Sequence, residues 1–355
     1  MACKRTHVYL LLLLCVTLPV SWIFSRLLVS GDVKNLYNAW KICNISLSPM
    51  DTRMIESRDR QNGLVVLPSH MKDKDKADIN EKRKHVLQKL CHAIGRKNSG
   101  RGIILYNDQY KLLYCSVPKV ACTSWRRVWL VLMGLEKSTN GIHHSVVHGK
   151  YGRFYPSLNK LNNREKVKRT ESYLKFMFVR HPFARLLSAY RNKFEVFEQR
   201  TSRAFLPKYG PQIIPGYRFN SSLSMRLSGE KTGIQFKDFV RYVINTTDSA
   251  QFDGHWRPMD QLCSVCSINY DIIGKFENLA EDVQYVLRRA SVDRLVSFPL
   301  TDTHVTNSSN IETLKRYYST LSTEEIVKLY RLYENDFQLF GYPFPEEFLL
   351  WSYSS

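Results

Sequence analysis

The sequence predicts an α/β domain with a central, mainly parallel sheet, and two observations predict it. Apolar runs of strand length recur at residues 111–116 (KLLYCS), 174–179 (LKFMFV) and 271–276 (DIIGKF). After each comes a segment whose apolar residues have helical spacing. Strands that alternate with helices are joined by crossovers, and crossovers favour parallel pairing.

Composition bounds the rest. The 355 residues are 44% hydrophobic and 12% aromatic, which excludes a disordered chain. The length suits one domain of about 200–250 residues with appendages. The 52 Lys+Arg against 32 Asp+Glu give a net charge of +20. That excess points to an anionic partner: nucleic acid, a membrane surface, an acidic polymer or a phosphorylated cofactor. It is concentrated in residues 101–237, which carry 25 basic and 7 acidic side chains.

From the N-terminus, residues 1–7 carry Lys4, Arg5 and His7, and residues 8–24 (VYLLLLLCVTLPVSWIF) carry no charge. The pattern predicts a cytosolic tail over 1–7 and a signal-anchor helix over 8–28, with a lumenal remainder. A cleaved signal peptide ending near Val29-Ser30-Gly31 is the competing reading. Sequons at Asn44, Asn220, Asn245 and Asn307 agree with the secretory pathway and disfavour nucleic acid. Six cysteines beyond the anchor allow at most three disulfides. Cys263-x-x-Cys266 lacks a second half for a zinc site, so it reads as disulfide-forming, with the pairing open.

Residues 29–100 show little hydrophobic periodicity. The mixed-charge run 71–85 (MKDKDKADINEKRKH) reads as a solvated stem or exposed helix. The globular domain is expected over 101–355. Helices are predicted at 121–135, 183–197, 236–244 and 279–290. A last one opens at the capping box Ser322-x-x-Glu325 and runs through Phe337.

Two strand-to-helix junctions carry chemistry. In Ser116-Val117-Pro118-Lys119-Val120-Ala121-Cys122-Thr123-Ser124 a strand ends, a lysine follows and a helix opens. Free backbone N–H groups, the helix dipole and one ammonium make an anion site. A Walker A sequence is absent. In Arg180-His181-Pro182-Phe183-Ala184-Arg185-Leu186-Leu187-Ser188, Pro182 takes the first helical position. Arg180 and Ser188 are placed to converge on one phosphate, while Arg185, Arg191 and Lys193 read as a solvated helix face.

These junctions resemble the 5′-phosphosulfate loop and 3′-phosphate site of sulfotransferases that use 3′-phosphoadenylyl sulfate (PAPS). The wording PKVACTSWRR and FVRHPFARLLSAYRNKF is similar to Golgi carbohydrate sulfotransferases of the HNK-1 and chondroitin 4-O type. Further matches are His255-Trp256, Leu262-Cys263-x-x-Cys266, Tyr270-Asp271-x-Ile273-Gly274-Lys275-x-Glu277 and Asp336-Phe337-x-x-Phe340-x-Tyr342. The resemblance spans about residues 111–348. Ser124 stands where the family usually has Asn, and His181 where it has an acid.

The resemblance implies a P-loop-like sulfotransferase domain on a Golgi type II membrane protein. Residues 118–124 would wrap the 5′-phosphosulfate and residues 180–188 the 3′-phosphate. Lys119 would stabilise charge on the leaving phosphate, so no metal is required. The resemblance also places a base histidine between the junctions, His148 in preference to His143 or His144. His255 is the second choice as base, and Trp256 could stack on a sugar. The acceptor expected is the 4-hydroxyl of N-acetylgalactosamine in chondroitin, dermatan or GalNAc-terminated glycans. Glucuronic acid of the HNK-1 type is the alternative within the class. Outside it, the alternative is a non-catalytic, membrane-anchored heparin-binding or lectin-like protein.

Overall fold

In a computed structural model the described residues are 73–95, 100, 102–197, 199–219, 229–248, 251–299 and 306–352. The expected anchor over 8–28 and the sequons Asn44 and Asn220 lie outside them. Among the described residues no helix is long and apolar enough to cross a membrane.

The elements follow in order: α1 (Asp73–Ile94), β1 (Ile104–Asn107), β2 (Leu112–Cys115), α2 (Cys122–Leu132), α3 (Asn163–Ser172), β3 (Leu174–Val179) and α4 (Pro182–Tyr190). Then come α5 (Gln199–Ile213), α6 (Phe236–Asn245), α7 (Met259–Cys263), β4 (Ile272–Lys275), α8 (Leu279–Arg289), α9 (Ile311–Tyr318), α10 (Thr323–Leu339) and α11 (Glu346–Ser352). The sheet order is β1-β2-β3-β4. β1 pairs antiparallel with β2, while β2–β3 and β3–β4 are parallel.

β3 sits inside the sheet, which is why its sequence is a continuous apolar run rather than an alternating one. Phe176 to Val179 are all buried. On the neighbouring β4, Gly274 has no side chain for a reason. A Cβ there would meet the Phe178 ring at 2.3 Å. α2 lays Trp125, Val128 and Trp129 against the strands, and Trp125 stands 4.7 Å from Phe176 between ring centroids. Each such ring stabilises the fold by about 1.5–3 kcal/mol. A second core gathers α4, α6 and α10 around Phe183, Phe239, Trp256 and Phe337. The predicted capping box at α10 is present, with Ser322 and Glu325 each bonding the other's backbone.

One expectation is corrected. The charged run read as a solvated stem or exposed helix is helical from Asp73 in α1, but α1 packs on the sheet instead of standing in solvent. Lys76, Asn80 and Leu87 are buried. Asn80 donates to Asp271 O and accepts from Ile273 N, at 2.7 and 3.0 Å. Lys76 and Arg83 both reach Asp282, at 3.0 and 2.7 Å. Much of the buried face is polar, so apolar periodicity could not reveal it. Two disulfides reinforce it, Cys91–Cys266 and Cys115–Cys263. The two cysteines of the CxxC thus bind different elements rather than each other. Each closes a chain segment long enough for roughly 5 kcal/mol in the chain-entropy view.

Candidate active site

Parallel pairing sets Cys115 of β2 opposite Met177 of β3. Both strands therefore end on one edge of the sheet, and the two junctions lie side by side there. This is the edge at which open α/β sheets bind ligands.

In the first junction Lys119 and Ala121 have φ of 69° and 55°, values that residues with a Cβ adopt only under constraint. Ala121 is the N-cap of α2, and no side chain caps the helix. Its first N–H groups thus lack the usual capping oxygen, at the positive end of the dipole. Thr123 lies inside the helix, with Oγ1 3.0 Å from His148 Nε2. Val120 is fully buried, Ser124 is 3% exposed and Cys122 is a free thiol.

Two arginines of the second junction grip this loop by its carbonyls. Arg180 Nη1 donates to Lys119 O at 3.1 Å, and Arg185 Nε to Pro118 O at 3.0 Å. Arg185 also donates to Arg257 O at 2.8 Å and to Gly254 O at 2.7 Å. It is 1% exposed, neither a solvated residue nor a phosphate ligand. It is a brace whose donors are engaged by backbone.

Arg180 is different. Its Nη2 donates to Ser309 Oγ at 2.7 Å, and its guanidinium lies 4.2 Å from the Phe276 ring centroid. Its Nε is buried without a hydrogen-bond partner among the described residues. Burial lowers its pKa to about 10, opposed by Glu277 and Tyr342, so it is charged at neutral pH. Ser188 Oγ stands 3.0 Å from Thr306 Oγ1, and Arg191 donates to Thr306 O. Residues 306–309 thus lie against Arg180 and Ser188. Sequence reading gave this segment only the sequon at Asn307. Asn307 and Asn245 are both exposed.

The rest of 180–188 is architecture. His181 N donates to Glu277 Oε1 at 2.7 Å, and its ring lies among Phe183, Phe337, Tyr342 and Phe348. Burial drives its pKa down to about 3, with Lys275 and Arg180 adding to the effect. The ring is a neutral member of an aromatic cluster, not an anion ligand. Pro182, Phe183, Ala184, Leu186 and Leu187 are buried in the second core or beside it.

His148 occupies a π-helical turn, Val146–Lys150, with His144 4.4 Å away between rings. Arg126 Nη1 lies 3.3 Å from its Nδ1. A guanidinium can only donate, so Nδ1 accepts and the ring proton sits on Nε2, facing Thr123. His148 therefore holds the loop threonine by Nε2. Trp256, expected to stack on a sugar, does not. It is 0% exposed, enclosed by Tyr209 and Phe239 at 4.9 and 5.5 Å, and presents no face to a sugar.

His255 is 27% exposed, and its Nδ1 lies 2.5 Å from Asp253 Oδ1. Asp253 was not singled out in the sequence. Its signal was available as an acid two residues before a candidate histidine. Among the described residues no group of three or more His, Cys, Asp or Glu stands together as a metal site would require.

The model of the Sulfotransferase family matches residues 103–343. Human carbohydrate sulfotransferase 9 is 33% identical over 76% of this chain and 61% of the relative. Zebrafish (Danio rerio) carbohydrate sulfotransferase 14 is 40% identical over 68% of this chain and 62% of its own. Rat carbohydrate sulfotransferase 11 is 33% identical over 78% of this chain and 80% of its own. The chain spans less than two thirds of the length of several of these relatives. No solved structure matches. With its matched region running from β1 almost to α11 and including both junctions, the chain belongs to the sulfotransferase family.

Proposed function

We propose that the protein transfers a sulfuryl group from PAPS to a glycan hydroxyl, the 4-hydroxyl of N-acetylgalactosamine in chondroitin, dermatan or GalNAc-terminated glycans. One observation carries the reading: an uncapped, strained helix start beside a buried arginine with an unpartnered Nε. The family's donor is a nucleotide with phosphate groups at both ends of its ribose, and the two junctions fit those two ends. PAPS, when bound, supplies the sulfuryl group and a phosphate leaving group.

The chain's own residues do the rest. The amides of 119–124 and the Lys119 ammonium stabilise negative charge on the 5′ side. Arg180 and Ser188 take the 3′-phosphate by fork and hydroxyl. Arg185 fixes the loop by its carbonyls, and His148 orients Thr123. The names of the relatives support a carbohydrate acceptor. The closeness of PKVACT to chondroitin and dermatan 4-O enzymes supports the hydroxyl.

We also read residues 8–28 as an anchor that places the domain in the Golgi lumen, and the two disulfides support an oxidising compartment. Protease protection of the domain in intact microsomes is the expected result. For the activity, the soluble domain is incubated with labelled PAPS and chondroitin, desulfated dermatan or GalNAc-terminated glycans. Label at position 4 of GalNAc is expected. Retention on immobilised adenosine 3′,5′-bisphosphate with no label on any glycan would overturn the acceptor class. Absence of retention would overturn the donor.

A further inference from the structure

Beside the donor loop stands an acid–histidine pair, in which the sequence offered His255 only as a second choice of base and gave Asp253 no role. Arg185 donates to Pro118 O and to Gly254 O at once. Gly254 lies so close to the loop that a Cβ on it would be 3.7 Å from Pro118 Cγ. One guanidinium thus fastens the segment 253–255 to the first junction. On that segment Asp253 Oδ1 accepts from both the backbone N–H and the ring Nδ1 of His255, at 3.0 and 2.5 Å. An ionised carboxylate accepts only. Nδ1 therefore carries the proton, and the lone pair is on Nε2. That is the reverse of His148, whose lone pair is turned to Arg126.

We propose that His255 is the proton acceptor for the glycan hydroxyl and that Asp253 is its positioning residue. The inference rests on the sulfotransferase reading. In the step, the hydroxyl proton moves to His255 Nε2 and the hydroxyl oxygen bonds to sulfur. The sulfur–oxygen bond to the 5′-phosphate breaks, leaving its electron pair on the phosphate. Asp253 holds the tautomer and stabilises the imidazolium that forms, as a buried carboxylate does for a catalytic histidine elsewhere.

The surroundings are consistent. Burial lowers the His255 pKa to about 4, opposed by its bond to Asp253, with Lys193 and Lys119 adding to the lowering. Burial would raise Asp253, but the His255 bond and charge outweigh it and bring it to about 2. The ring packs edge-on to Phe205 at 5.3 Å, and Lys193 Nζ lies 4.5 Å from that same ring. Tyr209 Oη lies 3.5 Å from Asp253 Oδ2, with Lys208 beyond it. The ammonium groups of Lys193 and Lys119 both act on the His255 ring. An anionic donor offsets their charge and raises the affinity of Nε2 for a proton. The ligand-free ring is a weak base, and the loaded one is stronger.

Histidine Cε1 NMR titration tests this without turnover. His255 is assigned by its loss in His255→Asn. In the ligand-free domain it should titrate well below the ordinary histidine range, and adenosine 3′,5′-bisphosphate should move it upward. Steady-state kinetics on the same proteins should show His255→Asn reducing kcat by ~10²–10⁴-fold, with calorimetric affinity for adenosine 3′,5′-bisphosphate unchanged. Asp253→Asn should lower kcat and displace the acid limb of the pH–rate profile, and Asp253→Glu should restore part of both. If His255→Asn keeps near-normal kcat, or if His148→Ala rather than His255→Asn abolishes the acid limb, the proposal is wrong. If wild type binds no nucleotide and labels no glycan, the failure lies in the sulfotransferase reading instead.

Discussion

The two junctions leave the same edge of the same sheet, yet they are built on opposite principles. The first presents backbone. Its helix starts at an alanine in left-handed geometry, and its carbonyls are drawn away by two arginines. The second presents one side chain, Arg180, from a setting of aromatic rings and packed core. Backbone sites tolerate varied side chains but depend on conformation. Side-chain sites depend on the residue itself. A loop with no glycine keeps this strained geometry because Arg180 and Arg185 hold its carbonyls.

Between the two junctions, the largest effect is expected at Lys119, the one ammonium of the first. Lys119→Ala should cut kcat by ~10²–10³-fold, as removal of one charge-stabilising donor does. A loss confined to KM would move Lys119 from the chemistry to binding alone. Next comes Arg180→Ala, expected to weaken adenosine 3′,5′-bisphosphate at least ~30-fold in calorimetry, equivalent to ~2 kcal/mol or more. Arg180→Lys should not restore it, because an ammonium lacks the fork. Full rescue by lysine would erase the distinction between the junctions. Ser188→Ala should cost about 1 kcal/mol of nucleotide binding, roughly fivefold. A change as large as that for Arg180 would mean that the hydroxyl, not the fork, dominates.

The second junction also predicts a pH effect on stability. His181 has a folded pKa near 3, below its unfolded value near 6.5. Between those values the unfolded chain binds a proton that the folded ring refuses. Stability is therefore complete above about pH 6.5 and falls as pH drops toward 3. The slope is at most ~1.4 kcal/mol per pH unit, less for the ring's partial exposure. Urea denaturation at pH 7 and pH 5 should show the loss, and His181→Phe should flatten it. The smallest effect belongs to Ala121→Gly, which relieves left-handed strain against a more flexible unfolded chain. It should raise stability by ~0.5 kcal/mol with nucleotide binding kept. A marked loss of binding would show that the Cβ, and not only the backbone, shapes the loop.

Much of this was legible in the sequence. The strand at 174–179 appears with the bounds its apolar run marks, and the capping box at Ser322 and Glu325 forms as its spacing requires. Strand β1 was missed because four residues of edge strand carry too little pattern. α1 was missed as packed structure because Lys76, Asn80 and Arg83 bury charges and amides that composition assigns to solvent. Arg185 was misread for the same reason, since nothing local tells a brace from an exposed arginine.

The sequence alone determined the alternation of strands and helices, the position of the two junctions and the excess of basic charge around them. These depend on local patterns that neighbouring residues fix. Tertiary structure decided which histidine is paired with a carboxylate, which arginine keeps an unpartnered Nε among the described residues, and which cysteines pair. It also showed that residues 306–309 lie against Arg180 and Ser188. Most of these depend on contacts between residues tens to hundreds of positions apart. They become defined only when parallel pairing brings the ends of β2 and β3 to one edge.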